Sequence, residues 1–229
     1  MTRRRRDFET SRQRHRLKSP TRGLAVSKSP RRRGLLVVIS AGSGAGKSTL
    51  CRKLLKKRRN LVFSISATTR LPRPGEKDGR DYFFVTEAAF NAMRRRGELV
   101  EWARVHGQAF YGTPRPYLER KMSQGKDVLL DIDVQGALQV KRRFPDAVLI
   151  FIMAPTFAEM ERRLRSRSSE TEAQIRQRLQ TARQELKFRR FYDYNVVNDR
   201  IPLALKRLEA ILDTESLKNQ RRRTKEIRR

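Results

Sequence analysis

Only one cysteine, Cys51, occurs among the 229 residues of this sequence. A single cysteine cannot form an intramolecular disulfide, and this favours a reducing, cytoplasmic setting. The chain also lacks any run approaching the roughly 20 apolar residues of a membrane helix, so no membrane partner is predicted. No apolar stretch follows its basic start, which argues against a secretory signal and leaves an organelle transit peptide as the alternative.

Acidic residues are scarce as well. The chain has 24 Asp and Glu against 55 Lys and Arg, a formal net charge of +31. Such an excess is typical of proteins that meet polyanions. The excess is concentrated at the ends: residues 1–33 hold thirteen basic and two acidic residues, and residues 217–229 hold seven and one.

Both ends are interpreted as basic tails around one folded domain, residues 34–216. Residues 1–33 contain two Ser-Pro pairs and no apolar periodicity, so this tail is predicted to be disordered. Neither tail contains a recognition motif that combines aromatic and basic residues. Weak, non-specific nucleic-acid binding is therefore the prediction for the tails.

Short apolar runs alternate with helical patterns through the middle of the chain. The runs 35–39, 128–132 and 148–153 are continuously apolar or nearly so, as in strands that are buried on both faces. Further strand candidates are residues 61–65, 82–85, 98–105 and 194–197. Strands that alternate with helices predict an α/β class, with three layers around a mainly parallel sheet.

Capping signatures indicate where several of the helices begin. Thr86 can cap a helix that runs toward Arg96. Thr156 with Glu159, and Ser169 with Glu172, have the spacing of a capping box. Helices are also predicted from about residue 47, over 114–124, after the strand at 128–132 and after residue 200.

A Gly-rich turn separates the first predicted strand from the next helix. It ends in the Gly-Lys-Ser of a Walker A loop. Glycines let backbone N–H groups turn inward around phosphates, and the helix N-terminus adds its positive dipole. Lys47 can reach the outer phosphates, and Ser48 can offer a hydroxyl to Mg²⁺. The predicted ATP-binding residues of this loop are Ala41, Gly42, Ser43, Gly44, Ala45, Gly46, Lys47, Ser48 and Thr49.

Two features near this loop leave alternatives open. The strict motif has glycine where this chain has Ala41, and a Gly-rich turn with a chance lysine is the alternative to a phosphate loop. Asp131 follows a buried strand, as in a Walker B pattern, which predicts a second position near Mg²⁺. An acid at a strand end is also a common feature of α/β proteins.

A loop rich in proline and charge carries two arginines, Arg70 and Arg73. The prolines limit backbone freedom, and planar guanidinium groups suit phosphate oxygens. In a chain this basic, solvated surface arginines are the alternative.

At this loop the sequence resembles the guanylate kinase family. Residues 66–85 contain Thr-Thr-Arg-Leu-Pro-Arg-Pro-Gly-Glu and Gly-Arg-Asp-Tyr-Phe-Phe-Val, similar to the nucleotide monophosphate region of that family. Gly-Glu-Leu-Val-Glu-Trp at 97–102, Leu-Asp-Ile-Asp-Val-Gln-Gly at 130–136 and Val-Asn-Asp at 197–199 follow in the same order. The resemblance covers about residues 34–212.

The resemblance implies phosphoryl transfer from Mg·ATP to GMP in purine nucleotide metabolism. It also implies a P-loop fold with an inserted mixed GMP-binding region at about 66–125 and a helical lid at about 156–190. The residues that it assigns to the GMP phosphate are Ser66, Arg70, Arg73, Tyr82 and Tyr111. Tyr111 lies in a segment one residue longer than the family's usual pattern.

Three further residues are implied to read the guanine edge: Glu101, Thr113 and Asp133. Guanine offers the N1–H and N2–H₂ donors, which a carboxylate accepts as a pair, whereas adenine lacks that pattern. For Glu101 alone, an exposed strand carboxylate is the alternative.

The lid is implied to contribute positive charge over ATP through Arg163, Arg167 and Arg178, although a helix face rich in arginine is more often simply solvated. Asn198 is implied to form part of the adenine side. The residues predicted to carry transfer are Lys47, Arg73, Arg167 and Arg178.

Other functions remain open at this point. A phosphorylated-sugar kinase of the same superfamily would give Glu101, Thr113 and Asp133 no purpose, because its acceptor has no base. A basic guanylate-kinase-like binding module is the other alternative, although such modules tend to lose the Gly-Lys-Ser that is intact here.

Overall fold

A five-stranded parallel sheet runs through the centre of the computed structural model, which describes residues 33–105, 109–166 and 171–227. The tail predicted to be disordered lies outside the described residues up to residue 32. In chain order the elements are β1 (Leu36–Ala41), α1 (Lys47–Lys57), β2 (Leu61–Phe63), β3 (Ala67–Thr68), β4 (Phe83–Phe84), α2 (Glu87–Arg95), β5 (Leu99–Val105), β6 (Ala109–Pro114), α3 (Arg115–Ser123), β7 (Asp127–Asp131), α4 (Val134–Arg143), β8 (Val148–Met153), α5 (Phe157–Arg165), α6 (Glu172–Lys187), a 3₁₀ turn (Phe188–Phe191), β9 (Tyr194–Val197) and α7 (Ile201–Ile227).

The strand order of the central sheet is β2-β7-β1-β8-β9, and every pairing in it is parallel. β1 lies in the middle, and its first five residues are buried. Alternate residues of β1 face two different apolar clusters, because one contains Val37 and Ile39 and the other Leu36 and Val38. The continuous apolar runs of the sequence therefore are strands covered on both faces, and the predicted α/β class is confirmed.

A second, smaller sheet has the order β4-β3-β6-β5 and mixed pairing. Its core is small: Ala67, Phe90 and Leu99 are buried, with a few half-buried aromatic side chains around them. Strand β6 was not predicted, because its segment contains Gly112 and Pro114 and has no clear apolar alternation. Long-range pairing with β5 forms this strand.

Two of the three predicted cap residues cap a helix. Thr86 and Thr156 each accept a hydrogen bond from a backbone N–H three residues later. The predicted capping box of Thr156 with Glu159 forms only by this half, because the Glu159 carboxylate pairs with Arg162 and Arg163 instead.

Ser169, the third predicted cap, lies outside the described residues. The helix α6 begins after Thr171, which forms a capping box with Gln174, so it starts later than the pattern Ser169 with Glu172 predicts. Both candidates have the required spacing, so the sequence pattern alone could not separate them.

The last helix, α7, packs on the central sheet through Leu208 and Leu212, which are buried. It continues beyond residue 216 to Ile227, so much of the predicted C-terminal tail is helical. Asn219 donates a hydrogen bond to the carbonyl of Arg33 at 3.0 Å. Within the described part of the chain, no helix has both the length and the apolar character needed to cross a membrane.

Candidate active site

The Gly-rich loop joins the end of β1 to the start of α1. Gly44 and Gly46 have φ angles of 84° and 87°, a region that residues with a side chain rarely adopt. A Cβ atom on Gly46 would lie 2.6 Å from Nδ2 of Asn198, which donates to the carbonyl of Ala45 at 2.8 Å. Ala41 is the last residue of β1 and extended, so this departure from the motif requires no strained backbone.

A lysine and an aspartate meet at the carboxyl ends of the two neighbouring strands β1 and β7. Lys47 Nζ lies 2.5 Å from Oδ1 of Asp131 and 3.4 Å from the carbonyl oxygen of Ile132. Parallel register brings them together, because Ile39 of β1 pairs with Asp131 of β7. Ser48 is exposed in the first turn of α1. The predicted Walker A and Walker B residues therefore share one site.

The loop lines a cavity of about 270 Å³ together with two charged residues of α6. Arg178, which the sequence predicted, donates from Nε to the Ser43 hydroxyl at 3.0 Å. Glu185, which the sequence did not predict, accepts from the Ser43 backbone N–H at 3.1 Å. Burial raises the pKa of the Glu185 carboxyl above its usual range. Its spacing of seven residues from Arg178, about two helical turns, places both side chains on one face of α6.

A second cavity, of about 470 Å³, lies between the loop, α5 and the end of β9. Arg163 and Asn198 both line it. Arg163 donates to Glu159 at 2.7 Å and to the carbonyl of Asn198 at 3.0 Å, so its guanidinium group is fixed at the cavity wall. Arg167 lies outside the described residues, and its predicted place in the lid stays a prediction.

In the loop that follows β3 of the mixed sheet, Arg70 contacts two of the other residues predicted to bind the acceptor phosphate. Its Nε donates to the Tyr111 hydroxyl at 3.0 Å, and its Cζ lies 4.8 Å from the centre of the Tyr82 ring. Tyr82 and Tyr111 contact each other edge to face at 5.9 Å between ring centres. These residues are far apart in sequence, and the pairing of β3 with β6 brings them together.

Glu76, which the sequence did not single out as a site residue, holds this group in place. Its carboxylate accepts two hydrogen bonds from Arg70, at 2.6 and 2.7 Å, and one from the backbone N–H of Arg73 at 2.8 Å. The paired arginine lowers the pKa of Glu76 to about 2. Arg73 is itself exposed, and Ser66 is half-buried beside β3.

A buried carboxylate lies where β5 and β6 meet the start of α4. Glu101 is 6 % exposed and accepts a hydrogen bond of 2.6 Å from the buried hydroxyl of Thr113. A Cβ atom added to Gly136 would lie 3.1 Å from Glu101 Oε2 and 3.4 Å from Asp133 Oδ1, so the two carboxylates converge there. Burial, with a further contribution from the charge of Asp133, raises the pKa of Glu101 to about 7.

The segment 131–133 connects this carboxylate pair to the Gly-rich loop. Asp131 pairs with Lys47, the Asp133 carbonyl accepts from Ser40 at 3.3 Å, and the Asp133 side chain caps α4. A phosphate loop with its lysine and acid, beside a second site of arginine, tyrosine and buried carboxylate, defines a P-loop kinase of small phosphorylated acceptors.

Comparison with known proteins identifies the family. A family model described as "Guanylate kinase" matches residues 33–215. The guanylate kinase of Desulfitobacterium hafniense is 48% identical over 82% of this chain and 94% of its own length. For that of Thermotoga maritima the identity is 45%, over 84% and 93%. The crystal structure of guanylate kinase from Anaplasma phagocytophilum, 37% identical, has a TM-score of 0.63 and covers 81% of this chain and 88% of its own. The chain therefore belongs to the guanylate kinase family, the nucleoside monophosphate kinases that transfer a phosphoryl group from ATP to GMP.

Proposed function

We propose that this protein binds GMP between Glu101, Thr113, Asp133 and the Arg70 loop, and phosphorylates it with ATP held by the loop 41–49. The convergence of Glu101 and Asp133 on Gly136 carries the proposal. Guanine presents N1–H and N2–H₂ donors, and the buried Glu101 carboxylate, whose Oε1 accepts from Thr113, has acceptor capacity left for both. A base without this donor pair would leave the carboxylate desolvated and unpaired, so it is rejected.

The phosphate of GMP is assigned to the basic side of the mixed sheet. Arg70, Tyr82 and Tyr111 contact one another there, and Arg73 lies on the same loop. Ser66 precedes β3 and contributes a hydroxyl in this proposal. Planar guanidinium groups and phenol hydroxyls give the charge and the directed donors that a phosphate requires.

Transfer itself requires orientation and positive charge rather than a base. The attacking oxygen belongs to a phosphate that is already largely ionised at neutral pH, so no general base is needed. In this proposal Lys47, Arg73, Arg167 and Arg178 stabilise the charge on the transferring group, and Arg163 and Asn198 support ATP. An arginine in such a position contributes about 10³–10⁵ in rate. Closure of the lid, about residues 156–190, excludes water from the reaction.

Magnesium is proposed as the cofactor that accompanies ATP. Mg²⁺ prefers oxygen ligands, keeps several waters and takes one or two protein ligands beside substrate phosphates. The exposed Ser48 hydroxyl and the partly exposed Asp131 carboxylate meet this requirement at the end of the phosphate loop. When bound, the ion neutralises phosphate charge during transfer.

An ADP-release assay with Mg·ATP tests the assignment of both substrates. The acceptors are GMP, AMP, CMP, UMP and a phosphorylated pentose, each with the unchanged protein and with Lys47→Ala and Glu101→Ala. We expect turnover with GMP alone, lost in Lys47→Ala and weakened in Glu101→Ala. Turnover with the pentose but not GMP would indicate a sugar kinase, and no turnover at all would indicate a binding module.

The regions outside the site form a separate part of the proposal. The matched range 33–215 supports a catalytic domain over 34–216 with a GMP-binding region at about 66–125. We assign weak, non-specific nucleic-acid binding to the basic tails, 1–33 and 217–229, and a cytoplasmic location to the protein. Deletion of residues 1–33 is expected to abolish RNA retention at low salt and to leave GMP turnover unchanged. Equal RNA affinity in the truncated protein would contradict this role.

A further inference from the structure

Helix α6 contacts the phosphate loop through two side chains of opposite charge. Arg178 and Glu185 are seven residues apart, about two helical turns, so they lie on the same face. Both reach Ser43: Arg178 donates to its hydroxyl at 3.0 Å, and Glu185 accepts from its backbone N–H at 3.1 Å. One residue of the loop is therefore held twice by one helix.

Glu185 is an unexpected residue for a cavity that receives phosphates. Carboxylate and phosphate repel each other, and the repulsion is strong where the site is only partly solvated. The side chain is nevertheless half-buried in the wall of the cavity formed by residues 41–49. Its negative charge faces Lys47 and Arg178, and it accepts a hydrogen bond from a backbone N–H of the loop. A carboxylate in this position must therefore contribute an interaction that outweighs its repulsion of phosphate.

We propose that Glu185 is a positioning residue for phosphoryl transfer. Glu185 fixes the backbone of Ser43, and the Ser43 hydroxyl in turn holds Arg178 at the wall of the phosphate cavity. The inference rests on the proposed role of Arg178 in transfer. A displacement of α6 relative to the loop would lengthen both hydrogen bonds to Ser43 at once. Glu185 thereby couples the lid helix to the phosphate loop, and the guanidinium group of Arg178 meets the phosphates already oriented.

The first test uses Glu185→Leu, which keeps roughly the size of the side chain but removes the oxygens that accept from the Ser43 backbone N–H. We expect kcat of this variant to fall about 10-fold to 100-fold, the scale of a misplaced catalytic group, with the KM for GMP unchanged. Glu185→Gln keeps an acceptor oxygen without the charge, so it should lose less. Glu172→Leu is the matched control, because Glu172 lies on the same helix, exposed and paired with Arg165. Equal thermal unfolding midpoints for the two leucine variants exclude a loss of folding as the cause.

A double-mutant cycle with Ser43→Ala separates positioning from a general structural role. Ser43→Ala keeps the backbone N–H and removes only the hydroxyl that holds Arg178. If both residues act through Arg178, the double variant loses little more kcat than the more damaged single variant. Losses that multiply would overturn the proposal.

The pH profile of kcat at saturating GMP provides a readout that a purely structural role would not change. The groups that face Glu185 are Lys47 of α1, Asp133 before α4, Tyr192 after the 3₁₀ turn and Arg178 of α6 itself. Because burial raises the pKa of Glu185, kcat should fall at acidic pH as the carboxylate becomes protonated. The Gln variant should keep only the part of this acidic limb that comes from protonation of the GMP phosphate, and an identical limb in both proteins would contradict the role.

Two results distinguish failure of this inference from failure of the proposed function. Tighter ATP binding with unchanged kcat in Glu185→Leu would show that Glu185 only competes with phosphate. This result would overturn the inference but not the proposed role of Arg178, provided that Arg178→Lys still loses turnover. Full turnover in Arg178→Lys would instead overturn the role of Arg178 in transfer.

Discussion

The sites proposed for ATP and for GMP differ in how they would bind phosphate. On the ATP side, the proposed phosphate ligands are backbone N–H groups of a loop that follows the central strand of a parallel sheet, and this strand is buried on both faces. On the GMP side, the loop that carries Arg70 and Arg73 extends from a mixed sheet with a small core. The ATP side is therefore fixed by the main chain and the GMP side by side chains.

This difference predicts how each side responds to change. A backbone site tolerates few substitutions, because each glycine conformation and each strand position is required at once. A side-chain site on a loop loses affinity gradually with successive substitutions, since each partner contributes a separate contact. With fewer buried apolar contacts, the GMP side is also expected to open more readily than the central sheet. Hydrogen exchange should show faster exchange in β3 and β4 than in β1 and β8.

The largest effect is expected for Lys47→Ala. The variant removes the cation that lies 2.5 Å from Asp131 at the end of the phosphate loop, and kcat should fall by about 10²–10³-fold or more. Calorimetry should show GMP binding unchanged, because the GMP side does not use this lysine. Lys56→Ala, exposed on the same helix, is the control and should keep full activity. Weakened GMP binding in Lys47→Ala would mean that the two sides are not separate.

Gly46→Ala is expected to be the next most damaging change. Its Cβ would lie 2.6 Å from Nδ2 of Asn198, on a backbone with φ of 87°, and the displaced loop should lose about 10²-fold in kcat/KM for ATP. Gly97 provides a matched control, because its φ is 69° and no atom lies within 4 Å of its Cβ position. Gly97→Ala carries the backbone strain without the clash. Equal losses of ATP turnover in both variants would show that strain alone matters.

Much of the ATP side could be predicted because its residues are consecutive. A strand, a glycine loop and a helix start are local features, and the end of β7 followed from a buried apolar run. Glu185 could not be found this way. Its contact with Ser43 joins residues 142 positions apart, and no local pattern encodes such a pair.

Less of the GMP side followed from residue patterns alone. Arg70, Tyr82 and Tyr111 were placed together only by resemblance to a family, because β6, which brings Tyr111 to the site, has no clear strand pattern. Glu76 lies within a motif that resembles the family, but no role was predicted for it. Its three hydrogen bonds depend on the fold of the loop, and in the sequence it is simply one more acid beside basic residues.

Glu101→Gln is expected to damage the GMP side alone. Glutamine places an amide donor against the donors of guanine, and the loss of a charged hydrogen bond costs about 1.5–3 kcal/mol. The KM for GMP should rise roughly 10-fold to 150-fold, with the KM for ATP unchanged. Glu98→Gln, a half-buried acid paired with Arg96 just before β5, is the control. An equal rise in both variants would contradict guanine recognition by Glu101.

GMP affinity is also expected to depend on pH through Glu101, whose pKa is raised to about 7 by burial. Guanine donors require the carboxylate, so GMP binds more tightly as the pH rises through 7. Below the pKa, affinity should fall by up to about tenfold per pH unit. Calorimetric titrations from about pH 6 to 8 measure this. Glu101→Gln should show only the titration of the GMP phosphate, and an identical slope in both proteins would contradict the assignment.

The smallest expected effect belongs to Glu76→Gln. The change removes the charge that holds Arg70 in a bidentate pair and leaves an amide oxygen for the backbone N–H of Arg73. Because Arg70 retains Tyr111 as a partner, we expect the KM for GMP to rise only threefold to tenfold, about the value of one hydrogen bond. Glu87→Gln, an exposed acid in the first turn of α2, should leave the KM unchanged. A lower KM in Glu76→Gln would show that Glu76 competes with the GMP phosphate for Arg70, and the side-chain site would then be restrained by its own acid rather than organised by it.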